Sequence, residues 1–318
     1  MRWALTLPFA GTHLHDHGPL LERAEAAGYD DAWSGETNGP DGFTPLVLAA
    51  ASTTRMRLGT GVVNAFTRGL AVLAQHSAAL QDASGGRFCL GIGSSSNVIV
   101  ERWNGIPFEK PLTKVRETVT ALRTVLAGER GPGGFKLERP PEVPPPIYVA
   151  ALRGKMLRLA GAIGDGSFVN FLPVSGLPQV ISEIRAGARE AGKEEGSTDV
   201  LCRFFCIPQS PEEGMTLARW MFAAYATVPV YERFFRWLGW GDAIDPMVDA
   251  WAAGERERAR ELAPDELIRE IFIFGTPTQQ KARLREFVEG GISTPVLTPI
   301  CPPAQLGGLI DALAPDGD

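Results

Sequence analysis

Short apolar runs alternate with amphipathic stretches along almost the whole chain. Residues 3–9, 29–34, 57–64, 87–91, 147–151, 167–171, 199–207 and 295–299 read as eight buried strands. Residues 18–27, 44–52, 70–83, 112–127, 155–163, 177–191, 278–289 and 303–313 carry apolar positions at helical spacing, as Leu20, Leu21 and Ala24 do in the first of these. Gly28, Gly164 and Gly291 stand where a helix gives way to the next strand. Two segments break the rhythm. Residues 129–146 are rich in Gly and Pro and predict an irregular excursion, and residues 211–271 are helical in pattern and crowded with aromatic side chains.

Strand–helix alternation implies a parallel sheet covered by helices. Eight units close naturally into a (β/α)8 TIM barrel, an α/β fold, here with a helical insertion (211–271) between the seventh and eighth strands. A doubly wound open sheet is the rival. No linker divides residues 1–318, so the expected organisation is one barrel domain.

Composition narrows the function classes. The net charge is −6 with signs interspersed, which disfavours nucleic acid and anionic membrane as partners. No run reaches the ~18 apolar residues of a membrane span, and the apolar run at the N-terminus is too short for a signal peptide. Four cysteines in 318 residues do not make a disulfide scaffold, so reduced core cysteines and a cytoplasmic location are expected.

In a barrel of this type, ligands lie at the C-terminal ends of the strands. There the chain places Ser34-Gly35-Glu36-Thr37-Asn38, Gly61-Val62-Val63-Asn64, Gly91-Ile92-Gly93-Ser94-Ser95-Ser96-Asn97, Arg153-Gly154-Lys155-Met156 and Asn170. Gly59 and Gly61 in one short strand mark either a close approach of backbone to a ligand or simple close packing. Arg153 and Lys155 at a helix start suit a phosphate, or are solvated charges. The serines offer donors to a polar tail, or cap a helix. Neither a Walker loop nor a full Gly-x-Gly-x-x-Gly fingerprint is present. His13, His15 and His17 fall in the loop after the first strand; a loop lacks the fixed geometry a metal site needs, so no metal is expected, and one of them is a candidate proton donor. His76 lies mid-helix, where packing is the expected role.

Five segments, taken together, resemble the bacterial luciferase-like monooxygenase superfamily. They are Ala26-Ala27-Gly28-Tyr29-Asp30 leading to Glu36, Arg57-Leu58-Gly59-Thr60-Gly61-Val62, Gly85-Gly86-Arg87-Phe88-Cys89-Leu90-Gly91-Ile92-Gly93, Ile147-Tyr148-Val149-Ala150-Ala151 and Gly164-Asp165-Gly166. The serine-rich turn after Gly93 and the strand ending in Asn170 resemble its F420-dependent oxidoreductase branch. The resemblance implies a TIM barrel holding the deazaflavin coenzyme F420 in its mouth, with a cis peptide at Gly61-Val62. It implies that Glu36, Gly61, Val62 and Asn64 meet the ring, and that Ser94, Ser95 and Ser96 hold the ribityl-phosphate region. Backbone at Arg153, Gly154, Lys155 and Met156 would receive the tail phosphate, and Asn170 would face the substrate. A homodimer is the family habit.

Two departures bear on activity. The branch's sugar-phosphate dehydrogenases carry a catalytic histidine where this chain has Thr37, and a glutamate where it has Ser96. Sugar-phosphate oxidation is therefore set aside for hydride transfer between F420 and another small organic substrate, with Glu36, Thr37 and His13 as catalytic candidates. The alternatives are an FMN-dependent monooxygenase and a non-catalytic cofactor-binding paralogue.

Overall fold

The computed structural model of the chain describes residues 1–316. Its strands are β1 (Ala4–Leu7), β2 (Asp31–Ser34), β3 (Arg57–Thr60), β4 (Val63–Asn64), β5 (Phe88–Gly93), β6 (Ile147–Ala150), β7 (Gly166–Asn170), β8 (Asp199–Ile207), β9 (Ile273–Phe274) and β10 (Thr294–Pro299). β1, β2, β3, β5, β6, β7, β8 and β10 pair in that order, all parallel, and β10 pairs with both β8 and β1. The sheet is thus a closed eight-stranded barrel with a helix after each strand, as the alternation predicts. The expected strand 57–64 is split. β4 continues β3 beyond a cis peptide between Gly61 and Val62 and pairs with β5, the cis bond standing where the resemblance places it.

The barrel interior is filled by aromatic side chains set against glycines. Trp33, Tyr148 and Phe168 are buried there with Ala4, Cys89, Leu201 and Val296. A Cβ on Gly59 would lie 2.2 Å from the Trp33 ring, and one on Gly166 2.1 Å from the Tyr148 ring. Large side chains on one strand therefore require glycine on the next, the taper a small barrel needs. Gly59 is a packing glycine, and of the two readings of that residue close packing holds. Gly61 has a related constraint, since a Cβ there would fall 2.9 Å from Phe168.

The two ends of the barrel differ in chemistry. At the N-terminal end the buried carboxylate of Asp31 accepts hydrogen bonds from Arg57 Nε (3.1 Å) and Nη2 (2.6 Å), from Arg2 Nη1 (3.2 Å) and from Trp33 Nε1 (3.3 Å). Arg57 Nη1 also donates to the Tyr148 hydroxyl, which donates to Asp199. This network closes the bottom. At the C-terminal end Gly35, Gly61, Gly93 and Ala150 leave a floor without bulk.

The insertion consists of helices Pro211–Ala226, Pro229–Trp237, Gly241–Ala252, Arg256–Glu261 and Asp265–Ile271, between β8 and β10. Phe222, Phe234 and Phe235 are buried within it, while Tyr225 and Tyr231 pack on Phe171 with ring centroids 4.6 and 5.5 Å away. Core packing and cover over the end of β7 therefore share its aromatic content. The turn after β5 contains a π-helical segment, Val98–Trp103.

Candidate functional site

Glu36 follows β2 and Asn64 ends β4, and both line a cleft of about 220 Å3 at the barrel mouth with Thr37, Asp41, Ile99 and Trp103. Glu36 Oε2 accepts hydrogen bonds from the Gly42 N–H (3.0 Å) and from Arg68 Nη2 (2.8 Å). Arg68 stacks over Phe43, 5.1 Å from the ring centroid, and approaches Asp41 at 3.8 Å. His76 packs against Phe43 and contacts Arg68 Nη1 at 3.4 Å, and burial followed by the Arg68 charge holds its pKa below the usual imidazole range. The packing role expected of His76 is what the structure shows. Thr37 is exposed beside Glu36. Asn64 is buried; its Oδ1 accepts from the Phe66 N–H at 2.8 Å, and its Nδ2 is buried with no acceptor.

Asparagine Nδ2 is a strong donor, and a buried donor without a partner costs roughly 1–3 kcal/mol. Asn64 Nδ2 is thus placed for an acceptor brought in by a ligand. Other buried side-chain atoms without a partner around the mouth include the donors Arg68 Nε, Arg153 Nε and Arg203 Nε, the Ser34 hydroxyl and the acceptor Asn170 Oδ1.

Arg153 precedes helix Gly154–Ile163 in an extended conformation, and Gly154 has φ +45°. Burial, then the nearby charge of Arg233, lowers the Arg153 pKa. Two guanidiniums that repel each other beside free helix N–H groups form an anion-receptive corner. The Met156 N–H is turned inward to the Arg153 carbonyl at 3.2 Å. Ser96 Oγ accepts from the Ile99 N–H at 3.4 Å, so it caps the π-helical turn. Ser94 and Ser95 are half-buried on the same loop, Ser95 with φ +60°.

Asn170 Nδ2 donates to the Tyr231 hydroxyl at 2.9 Å. Burial, reinforced by the neighbouring Tyr225, pushes the Tyr231 pKa up to about 12, so its phenol keeps its proton at neutral pH. Arg203 reaches from β8 across the mouth: its Nη2 donates to the Gly61 carbonyl at 2.5 Å and its guanidinium lies 5.5 Å from the Phe168 ring centroid.

The loop histidines do not converge. His17 is buried; its Nε2 accepts from the Phe9 N–H at 2.9 Å and its Nδ1 donates to the His13 carbonyl at 2.9 Å, which makes it a structural brace. His13 is exposed and stacks on His15, ring centroids 5.5 Å apart. Among the described residues no three His, Cys, Asp or Glu side chains gather as a metal site.

Arg68, Arg203, Tyr231, Arg233 and Trp103 were not among the residues picked out from sequence. Arg203 had a signal, a lone cation inside the apolar run 200–207. The others depend on long-range packing.

The family model for luciferase-like monooxygenases matches residues 4–294. A 5,10-methylenetetrahydromethanopterin reductase of Methanolobus tindarius is 31% identical over 290 residues, covering 85% of this chain and 86% of its own. The structure of a coenzyme F420 dependent tetrahydromethanopterin reductase from Methanopyrus kandleri superposes with a TM-score of 0.80 at 23% identity, covering 98% and 97% of the two chains. The oxygenating constituent of 3,6-diketocamphane monooxygenase from Pseudomonas putida, solved with FMN, gives a TM-score of 0.72 at 18% identity, covering 99% and 96%.

Proposed function

Because this chain belongs to the luciferase-like monooxygenase family and is an enzyme, we propose that it transfers a hydride between coenzyme F420 and a small organic substrate. The observation that carries this reading is Asn64 Nδ2, a buried donor with no acceptor, at the edge of a glycine floor and a cleft. A flat heterocycle with carbonyl oxygens on its rim would lie over Gly35, Gly61 and Gly93, of which Gly93 is also required by packing, since a Cβ there would press to 3.0 Å on both Val62 and Ala150. The Arg153 corner suits an anionic tail, with Ser94, Ser95 and Ser96 between tail and ring. When bound, the deazaflavin supplies two-electron hydride chemistry.

The chain's own residues then bind, orient and exclude water. In this proposal Glu36, held by Arg68 and the Gly42 N–H, and Thr37 form the polar edge of the ring pocket and handle the proton. His13 is the imidazole candidate of the facing loop. Val62 and Gly61 back the ring, Lys155 and Gly154 complete the phosphate corner with Arg153, Met156 stands aside because its N–H is held by the Arg153 carbonyl, and Asn170 borders the substrate. The 27% identity, over 94% of this chain, to a putative coenzyme F420-dependent oxidoreductase of Mycobacterium tuberculosis supports F420 over FMN. The expected homodimer and cytoplasmic location belong to this proposal, and sedimentation of the purified chain tests the first.

Fluorescence titration of the purified protein with F420 and with FMN tests the cofactor assignment. F420 should bind at least ~10-fold more tightly, a difference of about 1.4 kcal/mol, and Asn64→Ala should weaken it. Tighter binding of FMN overturns the assignment in favour of a flavin monooxygenase.

A further inference from the structure

Arg57, Arg68 and Arg203 reach inward from the barrel strands and the loop after β4, and two of these three are matched. Arg57 is paired with Asp31, and Arg68 with Glu36. Arg203 has no carboxylate within ion-pair distance among the described residues: its one hydrogen bond is to the Gly61 carbonyl, and its Nε is buried without an acceptor. A Cβ on Gly35 would lie 3.4 Å from its Nη2. The guanidinium therefore spans the mouth, from the seventh barrel strand to the ends of the second and third. The side chain is half-buried, and a charge partly removed from water without a counter-charge is costly unless an anion completes it.

The groups around Arg203 point the same way. Asn170 pairs with Arg203 in the β7–β8 register. Its Nδ2 donates to the Tyr231 oxygen, so the Tyr231 hydrogen is left to donate elsewhere, and no described residue accepts it. Arg203 Nε and the Tyr231 hydroxyl hydrogen are thus two neighbouring donors without an acceptor among the described residues, and no acid pairs with Arg203.

We propose that Arg203 and Tyr231 bind an anionic oxygen of the substrate, so that the enzyme takes substrates bearing a carboxylate or carboxylate-like group next to the reacting carbon. The anion-binding claim stands on the geometry alone; its assignment to the substrate rests on the reading of the mouth as an F420 site, because the rim of a bound ring is the other source of an anionic oxygen.

Calorimetric titration with benzoate and with its neutral isostere benzamide tests both parts. The wild-type chain should prefer benzoate by about ten-fold, as charge-assisted pairs exceed neutral ones. Arg203→Gln should abolish that preference, Arg203→Lys should keep part of it, and Tyr231→Phe should reduce it a few-fold, each variant being checked for unchanged circular dichroism. Equal binding of the two probes, or a preference that survives Arg203→Gln, overturns the proposal. Repeating the titration on F420-loaded protein identifies the source. Benzoate binding that persists assigns the oxygen to the substrate, whereas mutual exclusion assigns it to the cofactor ring and overturns the substrate class. Failure of F420 to bind at all overturns the proposed function and leaves the result on cofactor-free protein to be judged by itself.

Discussion

Arg68 donates to the carboxylate of Glu36 at 2.8 Å, while the Gly42 N–H donates to the same Oε2 at 3.0 Å. The acid at the end of β2 is therefore held by a cation that itself lies on Phe43. Position, more than charge, is what Arg68 contributes. Arg68→Ala and Glu36→Gln should each weaken F420 binding by about ten-fold, and the double variant should be little worse than either. A coupling of about 1–2 kcal/mol is the expected size for two residues in direct contact. A double-mutant cycle by fluorescence titration measures it, and additive losses would show that Arg68 does not act through Glu36.

The closed N-terminal end of the barrel depends on Asp31. Its side chain is fully buried and accepts from Arg2, Arg57 and Trp33. Removing the acid would leave the Arg57 guanidinium among Trp33 and Tyr148 with the phenol and the partly exposed Asp199, 3.5 Å from its Nη1, as remaining partners. Asp31→Ala should cost about 3–5 kcal/mol of stability, the usual penalty for stranding one partner of a buried pair. Urea unfolding measures this. Replacing Arg57 by Met in the same chain should recover a good part of the loss, since no unpaired charge is then buried.

The barrel was legible because each unit states its own period: short apolar strands, amphipathic helices and a glycine at several of the junctions. The β4 break after Gly61 was legible only through the resemblance, since nothing in local propensity splits 57–64. Gly59 shows how a correct signal can point two ways: the glycine is required, but by the Trp33 ring and not by a ligand. Asn64, Asn170 and Arg153 were picked out because they stand at strand ends or at the helix start beside one. Arg68, Tyr231 and Arg233 were not, because their approach to the mouth is set by a loop and by one helix of the insertion, whose packing no local pattern encodes. Among the loop histidines the pattern showed nothing of which was buried, and His17, as a brace for the Phe9 N–H, took the interior position.

The contact between β3 and β5 sets a limit on side-chain size. A Cβ on Gly91 would fall 1.8 Å from the Thr60 carbonyl oxygen, while the Thr60 hydroxyl donates to the Gly91 carbonyl at 2.7 Å and accepts from its N–H at 2.8 Å. The obstructing atom is backbone and cannot rotate away. Gly91→Ala should destabilise by at least about 1–3 kcal/mol, the overpacking range, and weaken binding at the mouth with it. Gly308, inside helix Pro303–Leu313, is the control, because a Cβ there would meet nothing within 4 Å. There Ala should gain about 0.5–1 kcal/mol. Chemical denaturation of both variants compares them directly.

Stability should also fall on acidification through Glu25. Burial raises its pKa, but hydrogen bonds from the backbone N–H groups of Arg55, Thr54 and Met56 and from the Thr54 hydroxyl outweigh this and hold it at about 2, below the ordinary glutamate value of 4.5. The folded state therefore binds this proton more weakly than the unfolded chain does. The resulting stabilisation is fully present above about pH 4.5 and is lost as pH falls through 4.5 toward 2. Because the carboxylate keeps solvent contact, its contribution at pH 7 is about 1 kcal/mol once screening is allowed for. Glu25→Gln should lower Tm at pH 7, and the gap between variant and wild type should narrow progressively below pH 4.5. Thermal melts at half-unit pH steps from 7 to 3 follow it. A gap that stayed constant across that range would assign the loss to the shape of the amide and not to the charge that gathers the turn between helix Thr44–Ser52 and β3.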